Sequence, residues 1–469
     1  MTLDVFLEFE KEHDLLKYKF SKSGYCMWPF IRHQIVSYLL YGNNSSIKFE
    51  DNTLPEGKQK IKKIMSLVVD YARTLALSKR QGTIKTKKAL FLSRDSSDIN
   101  SEYGWYNRTL DFFAECFPND SQMLILSTNT LCTPRRFKNY FIDVRLHTNI
   151  KIIERFNHIN SKDISQVDLL LSEVENQFPC IDDYLENRIK KLLLRKCRSI
   201  DYEIKYLSKL VDRIKPKVAV IEDGCYGYDK AVYIKILKNK GIKVFEAQHG
   251  LIGLNHPAYN FIFDRKSEYV DYLPDVFMSY GKYWESVSRL PIRVIPIGAP
   301  NFYSNSVEDK EKKGRILIAL TDYSSYWIDF VKDYLRDKIE VDIVIKAHPL
   351  STNLLDDFGE FEDVEGIELC AHGNIYDFIS EAEFIMSDMS TVIFEAYCKK
   401  KKVFVYDCEQ SNDFIPKEIG FRIKSYREFK DIVNKLENNS YSFDDNVDYY
   451  FDSNWRENYF RLFNRDDLD

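Results

Sequence analysis

Two short apolar runs that each break off on a polar knuckle constrain this chain more than any other feature. The first, Val341 with Ile343-Val344-Ile345, stops at Lys346-Ala347-His348-Pro349; the second, Phe384-Ile385-Met386, stops at Ser387-Asp388-Met389-Ser390-Thr391. Such brief apolar runs, spaced a helix apart, read as parallel strands buried on both faces. Val392-Ile393-Phe394-Glu395-Ala396 then opens a helix directly behind the Ser/Thr pair. A hydroxyl cap at a helix start leaves backbone N–H groups free to hold an anion. Ligands of open α/β sheets collect at the carboxyl ends of the strands, where both knuckles fall. The pattern predicts a phosphate pocket made by His348, with Lys346 and Pro349 beside it, and by Ser390 and Thr391. Glu395, on the first turn of the helix, is placed to reach a ribose diol, and Thr321, after the strand Arg315–Leu320, borders the same cleft. Taken singly, each residue has a plainer role as a cap or a strand end; the set and its order carry the nucleotide reading.

The other informative segment is a βαβ unit. Lys217–Ile221 reads as a buried strand ending in Glu222-Asp223-Gly224, and a helix follows over 228–240. Gly241 ends that helix, and the next strand, Lys243–Ala247, ends in Gln248-His249-Gly250. Neighbouring parallel strands finish at one edge of the sheet. Asp223 and His249 therefore face one crevice as a candidate acid/base pair, with Glu222 beside them. The plainer alternatives are a strand-to-turn cap for the acidic pair and a satisfied buried imidazole for His249.

These motifs resemble sites of several bacterial GT-B glycosyltransferase families. These are the sialyl- and polysialyltransferases, the Kdo transferases of capsule assembly, and the CDP-glycerol polymerases of teichoic acid synthesis. His348-Pro349 and Ser390-Thr391 are similar to the His-Pro and Ser/Thr pairs that hold nucleotide phosphate and sugar there. Glu395 resembles the ribose-binding glutamate of other GT-B enzymes. Glu222-Asp223-Gly224 is similar to the acidic-acidic-Gly motif whose second carboxylate is the sialyltransferase general base, which makes Asp223 the candidate base. The capsule Kdo transferases carry Glu-Asp-Gly as well, with the Asp implicated in a retaining mechanism. The teichoic acid polymerases instead use the His of a His-Gly motif, which points to His249. The chain lacks the tryptophan usual before that His-Gly, and the likeness covers four short motifs.

The resemblance implies an α/β protein of GT-B fold, with two Rossmann-like domains facing across a cleft. It implies glycosyl transfer with a nucleotide sugar as donor substrate and no further cofactor. A helix dipole and an imidazole can stand where a metal would, so metal-independent chemistry is expected. The donor implied first is a CMP-activated nonulosonate or Kdo, and a UDP- or GDP-hexose or CDP-glycerol-type donor comes second. A UDP-sugar 2-epimerase-like enzyme and a non-catalytic capsule-assembly scaffold are the readings from other classes. The expected acceptor is a surface glycan or lipid-linked oligosaccharide.

The 469 residues leave room for two or more domains with proper cores. A net charge of −5 argues against a nucleic-acid partner. Nine cysteines without a CxxC pair suggest neither a zinc site nor a disulfide framework, and fit a reducing cytoplasm. The acidic N-terminus has no signal-peptide core, and no run approaches the roughly 20 apolar residues of a membrane span. The expected location is the cytoplasm, with any contact to the inner membrane or to polysaccharide assembly proteins peripheral. The expected divisions are a helical N-terminal extension (1–80), an acceptor and catalytic domain (81–270) and a nucleotide-sugar domain (271–445). A C-terminal helix (446–469) is expected to cross back to the first domain. Trp28-Pro29 and Arg32 in the extension read as packing and a surface charge. Asn149–Ile153 reads as a third strand, and His256-Pro257, in a loop, ranks below His348-Pro349.

Overall fold

The computed structural model describes residues 1–42, 82–94, 98–101, 103–126, 133–304, 309–321, 325–337, 342–348, 351–438 and 446–464, with positions 69, 71, 72 and 340 between them. Pro349 and most of residues 43–80 of the expected helical extension lie outside the described residues.

β1 (Ala89–Arg94) leads into an antiparallel hairpin, β2 (Asp98–Ser101) and β3 (Gly104–Asn107). β4 (Ser121–Leu126), β5 (Tyr140–Asp143), β6 (Val218–Ile221), β7 (Lys243–Ala247), β8 (Val276–Ser279) and β9 (Arg293–Pro296) follow. With β1 they form a parallel sheet in the order β5-β4-β1-β6-β7-β8-β9. Its strands are apolar on both sides because both faces are covered: Leu90 and Leu92 enter one core, Ala89 and Phe91 the other. The second sheet is also parallel, with β10 (Lys312–Ala319), β11 (Ile343–Lys346), β12 (Ile367–Cys370), β13 (Ala382–Ser387), β14 (Lys402–Tyr406) and β15 (Phe421–Ile423). Its order is β12-β11-β10-β13-β14-β15.

Both sheets grow outward from a central strand in one direction and then the other. The first turns back between β1 and β6, the second between β10 and β13. Such a switch point opens a crevice at the strand ends, because the flanking connections leave on opposite faces. Glu222-Asp223 follows β6, and Asp388 to Thr391 follow β13, so both motifs sit at these crevices.

β8 and β9 pair in the first sheet, Phe245 opposite Val276 and Val276 opposite Arg293, so the second domain begins after Pro296 and not at 271. A short apolar strand carries no local sign of which sheet it joins; pairing along β7 decides it. Residues 149–153 lie within a helix, because Leu146, Ile150 and Ile153 recur at helical spacing, and the strand is β5.

The helices used below are α1 (Leu3–Glu12), α2 (Trp28–Tyr41), α3 (Leu110–Cys116), α4 (Arg145–Phe156), α5 (Ser161–Gln177), α6 (Asp183–Ile214), α7 (Asp229–Asn239), α8 (Thr391–Cys398) and α9 (Trp455–Asn464). Arg32 on α2 is no surface charge. It is buried, pairs with Glu10 of α1 at 2.8 Å, and donates to the carbonyls of Pro257 and Asn260 at 2.7 and 2.8 Å. Trp28 Nε1 donates to the same Glu10 carboxylate. Removing one partner of such a pair costs about 3–5 kcal/mol. The extension is thereby locked onto the loop that carries His256. Gly227, with φ 75°, presses on Pro29: an added Cβ would lie 2.2 Å from its carbonyl oxygen. At the other end of the chain, Trp455 and Tyr459 of α9 pack on Phe113 of α3 in the first domain. Two Rossmann-like sheets across a cleft make this a GT-B fold.

Candidate functional site

The first domain builds its side of the cleft from buried polar groups. Asn107, fully buried at the end of β3, donates from Nδ2 to Ser93 at 2.9 Å and to the Glu222 carboxylate at 3.0 Å. Its Oδ1 accepts from the N–H groups of Thr109 and Leu110, fixing the turn into α3. Lys230 donates to the Glu222 carbonyl at 2.7 Å. Glu222 is thus a buried brace across the switch point. Asp223 turns the chain in the left-handed region, φ 59°, a conformation that costs most non-glycine residues about 1–2 kcal/mol. That turn brings Asp223 Oδ1 to 2.9 Å from His249 Nε2.

Burial opposes a charge on His249, yet Asp223, with Glu246 and Glu222 behind it, raises its pKa above the ordinary value. His249 Nδ1 is enclosed and has no hydrogen-bond partner among the described residues. Below the pair lies Glu246, which accepts from the Cys225 N–H at 2.8 Å and from the Tyr259 hydroxyl at 3.2 Å. Burial pushes its carboxyl up to about 7. Tyr226 stands between three imidazoles. Its hydroxyl lies 3.2 Å from His256 Nε2, and its ring centroid is 4.6 Å from that of His33 and 5.6 Å from that of His249. Burial, with Arg32 beside His33 and with His33 and His249 beside His256, pushes both His33 and His256 down to about 3.

The second domain offers hydroxyls and backbone donors. Ser390 caps α8, accepting from the Val392 N–H at 3.2 Å. Asp388, buried, is gripped from both sides: Thr321 donates to Oδ1 at 2.5 Å and Tyr326 to Oδ2. Thr321 therefore braces the turn ahead of Ser390. Glu395 accepts from the Tyr376 hydroxyl at 3.0 Å, and burial raises its pKa. Lys346 is withdrawn. It is buried and donates to the carbonyls of Ala347 and Ala371, so it does not project into the cleft as its position at the end of β11 suggested. His348 is exposed. The protein mass around it, then Arg108 and Lys346, push its pKa down to about 4, so it is neutral at pH 7.

One cleft, partly open to solvent, joins the two sides. Arg108, Gln248, His249 and Tyr280 line it from the first domain, and Tyr376, Thr391 and Glu395 from the second. Of the residues expected from sequence, His249, Thr391 and Glu395 meet here. Asp223, the more exposed of the pair, stands beside the cleft bonded to His249, Ser390 sits next to Thr391, and Glu222, Thr321 and Lys346 hold backbone in place. Sequence reasoning passed over Arg108, Asn107, Tyr226 and Tyr376, none of which follows an apolar run. Among the described residues no group of three or more His, Cys, Asp or Glu is placed to hold a metal ion. No helix among them is long and apolar enough to cross a membrane.

Residues 29–341, more than half of the sequence, match the family described as LIC12162 family transferase. The chain belongs to the LIC12162 family of transferases. The family match takes in Arg108, Asp223 and His249 and stops short of His348, Thr391 and Glu395. No curated protein matches the sequence. Among solved structures, this transferase is similar to the UDP-GlcNAc 2-epimerase from Methanocaldococcus jannaschii, with 11% identity and TM-score 0.45 over 80% of this chain and 99% of that one. It is similar to the UDP-GlcNAc 2-epimerase from Neisseria meningitidis bound to UDP-GlcNAc, with 13% identity and TM-score 0.44 over 80% and 99%. It is also similar to the wall teichoic acid polymerase TagF, with 12% identity and TM-score 0.40 over 88% and 94%.

Proposed function

We propose that this transferase moves a sugar from a nucleotide donor to a hydroxyl of a surface glycan or lipid-linked oligosaccharide. The observation that carries the reading is the shared cleft: His249, bonded to Asp223, lines it on one side, and Thr391 and Glu395 line it on the other. Group transfer to a hydroxyl needs a proton acceptor and a held leaving group within one site.

In this reading Asp223 takes the proton of the acceptor hydroxyl as that oxygen bonds to the anomeric carbon. The bond from that carbon to the donor phosphate oxygen breaks in the same step or the preceding one. Asp223 suits the role because its side chain is the more open of the pair, 31% against 21% exposed, while Nδ1 of His249 is enclosed. His249 then positions the carboxylate through Nε2. The leaving phosphate gains charge, and the Thr391 hydroxyl, the N–H groups at the start of α8 and the neutral His348 donate to it. Glu395 accepts from the ribose diol. These groups supply what a metal would, so EDTA is expected to leave turnover unchanged.

The donor proposed first is a CMP-activated nonulosonate or Kdo, on the motif resemblance; a UDP- or GDP-hexose or a CDP-glycerol-type donor is second. A 2-epimerase would use the same cleft without an acceptor, and membership of a transferase family favours group transfer. The reaction is placed in the cytoplasm, at the inner face of the membrane where a lipid-linked acceptor would be met. The test is thermal stabilisation by CMP, CDP, UMP, UDP and GDP, followed by nucleotide release from the matching sugar donor with and without acceptor. Stabilisation by CMP and release that needs acceptor are the expected results. Release without acceptor would favour the epimerase, and stabilisation by none of the five would sink the nucleotide reading.

A further inference from the structure

We propose that Arg108, a residue of the first domain, is the cation that holds the phosphate of the nucleotide in the cleft. The inference rests on the nucleotide-sugar reading above and names the residue that reading leaves out. A donor phosphate brings one or two negative charges, and charge-assisted hydrogen bonds from a cation are the strong way to hold it in a partly desolvated cleft.

The cations expected from sequence do not supply it. Lys346 spends its ammonium on the carbonyls of Ala347 and Ala371, and His348 is neutral at pH 7. Among the described residues that line the cleft, Arg108 is the one Lys or Arg. Its guanidinium makes no hydrogen bond or ion pair with any described residue, although Glu395 lines the same space.

Its position is built. Asn107, immediately before it, is fully buried and bonded to Ser93, Glu222 and two backbone N–H groups, so the turn that presents Arg108 is fixed. Its charge is felt on both sides of the cleft. It opposes the burial-driven rise of Tyr280 in the first domain and of Tyr376 and Glu395 in the second, and it deepens the depression at His348. A planar guanidinium can hold two phosphate oxygens at once. With hydroxyls from one domain and the cation from the other, the phosphate bridges the two, and nucleotide binding draws the catalytic side onto the donor.

The experiment is calorimetric titration of wild type, Arg108→Ala and Arg108→Lys. The ligands are CMP, CDP, UMP, UDP and GDP, alongside the nucleosides cytidine, uridine and guanosine. Arg108→Ala is expected to weaken the best nucleotide about tenfold or more, Arg108→Lys to restore part of the loss, and nucleoside affinity to stay unchanged. The melting temperature without ligand should not move, because no described partner is lost. Wild-type nucleotide affinity should fall with added salt more steeply than that of Arg108→Ala. Equal nucleotide affinity in wild type and Arg108→Ala would overturn this inference and leave the nucleotide site standing. Equal losses for nucleoside and nucleotide would also overturn it, since the residue would then not act on phosphate. A wild type that binds none of the nucleotides would overturn both readings together.

Discussion

The two sides of the cleft hold their polar groups in opposite ways. On the first domain, ionisable side chains are packed against one another: Asp223 against His249, Glu246 beneath them, and His33 and His256 around Tyr226. On the second, the cleft is met by the hydroxyl of Thr391, the capped start of α8 and a glutamate already bonded to Tyr376. Burying charge is expensive unless it is paired, and groups with displaced pKa values gather where protons move. Neutral donors at a helix start bind an anion without that cost. In the proposed function the first domain carries the chemistry and the second holds the donor, with Arg108 adding a cation from the first.

The sharpest way to break this contrast is Asp223→Asn. Turnover should fall by about 10²–10⁴-fold while nucleotide affinity stays within about twofold, because the carboxylate is needed for the proton and not for the donor. An equal loss of nucleotide binding would erase the division between the two sides.

Next in size is a pH effect from the groups packed around the Asp223–His249 pair. The Glu246 carboxyl, at about 7, binds its proton more tightly folded than unfolded. The stability it contributes is therefore full below its unfolded pKa of about 4.3 and is lost as pH rises through about 7. His249, also raised, acts in the same sense. His33 and His256, held near 3, act in the opposite one: their contribution is present above about 6.5 and is lost as pH falls. Denaturant unfolding at a series of pH values should show a decline between about pH 4 and pH 7 that is shallower in Glu246→Gln, by on the order of 2 kcal/mol. An unchanged slope would mean that Glu246 is not the titrating group.

Smaller still is Ser390→Ala, which should lower stability by about 1 kcal/mol through the lost cap of α8 and loosen nucleotide binding with it. Lys346→Met should change nucleotide affinity less than about twofold. A large loss there would return Lys346 to the site and weaken the case for Arg108.

The sequence made the strand ends legible, and with them the pairing of Asp223 with His249, because neighbouring parallel strands must finish at one edge. It did not show which sheet β8 and β9 join, since their partner, β7, is set by pairing at a distance. Lys346 was misread for the same reason: half of its environment is the Ala371 carbonyl, brought alongside by the β11–β12 pairing. Arg32 read as a surface charge because Glu10 and the carbonyls of Pro257 and Asn260 lie far from it in sequence. Arg108 left no signal, as it follows a hairpin inserted after β1 and not an apolar strand of the main sheet.

The central claim is that one cleft holds the donor phosphate against the start of α8 with the Asp223–His249 pair opposite. A crystal structure of the complex with the best-binding nucleotide tests it most directly. The phosphate is expected at Ser390 and Thr391, the ribose hydroxyls on Glu395, and the Arg108 guanidinium within hydrogen-bond reach of a phosphate oxygen. A nucleotide seated elsewhere, with this cleft vacant, would contradict it.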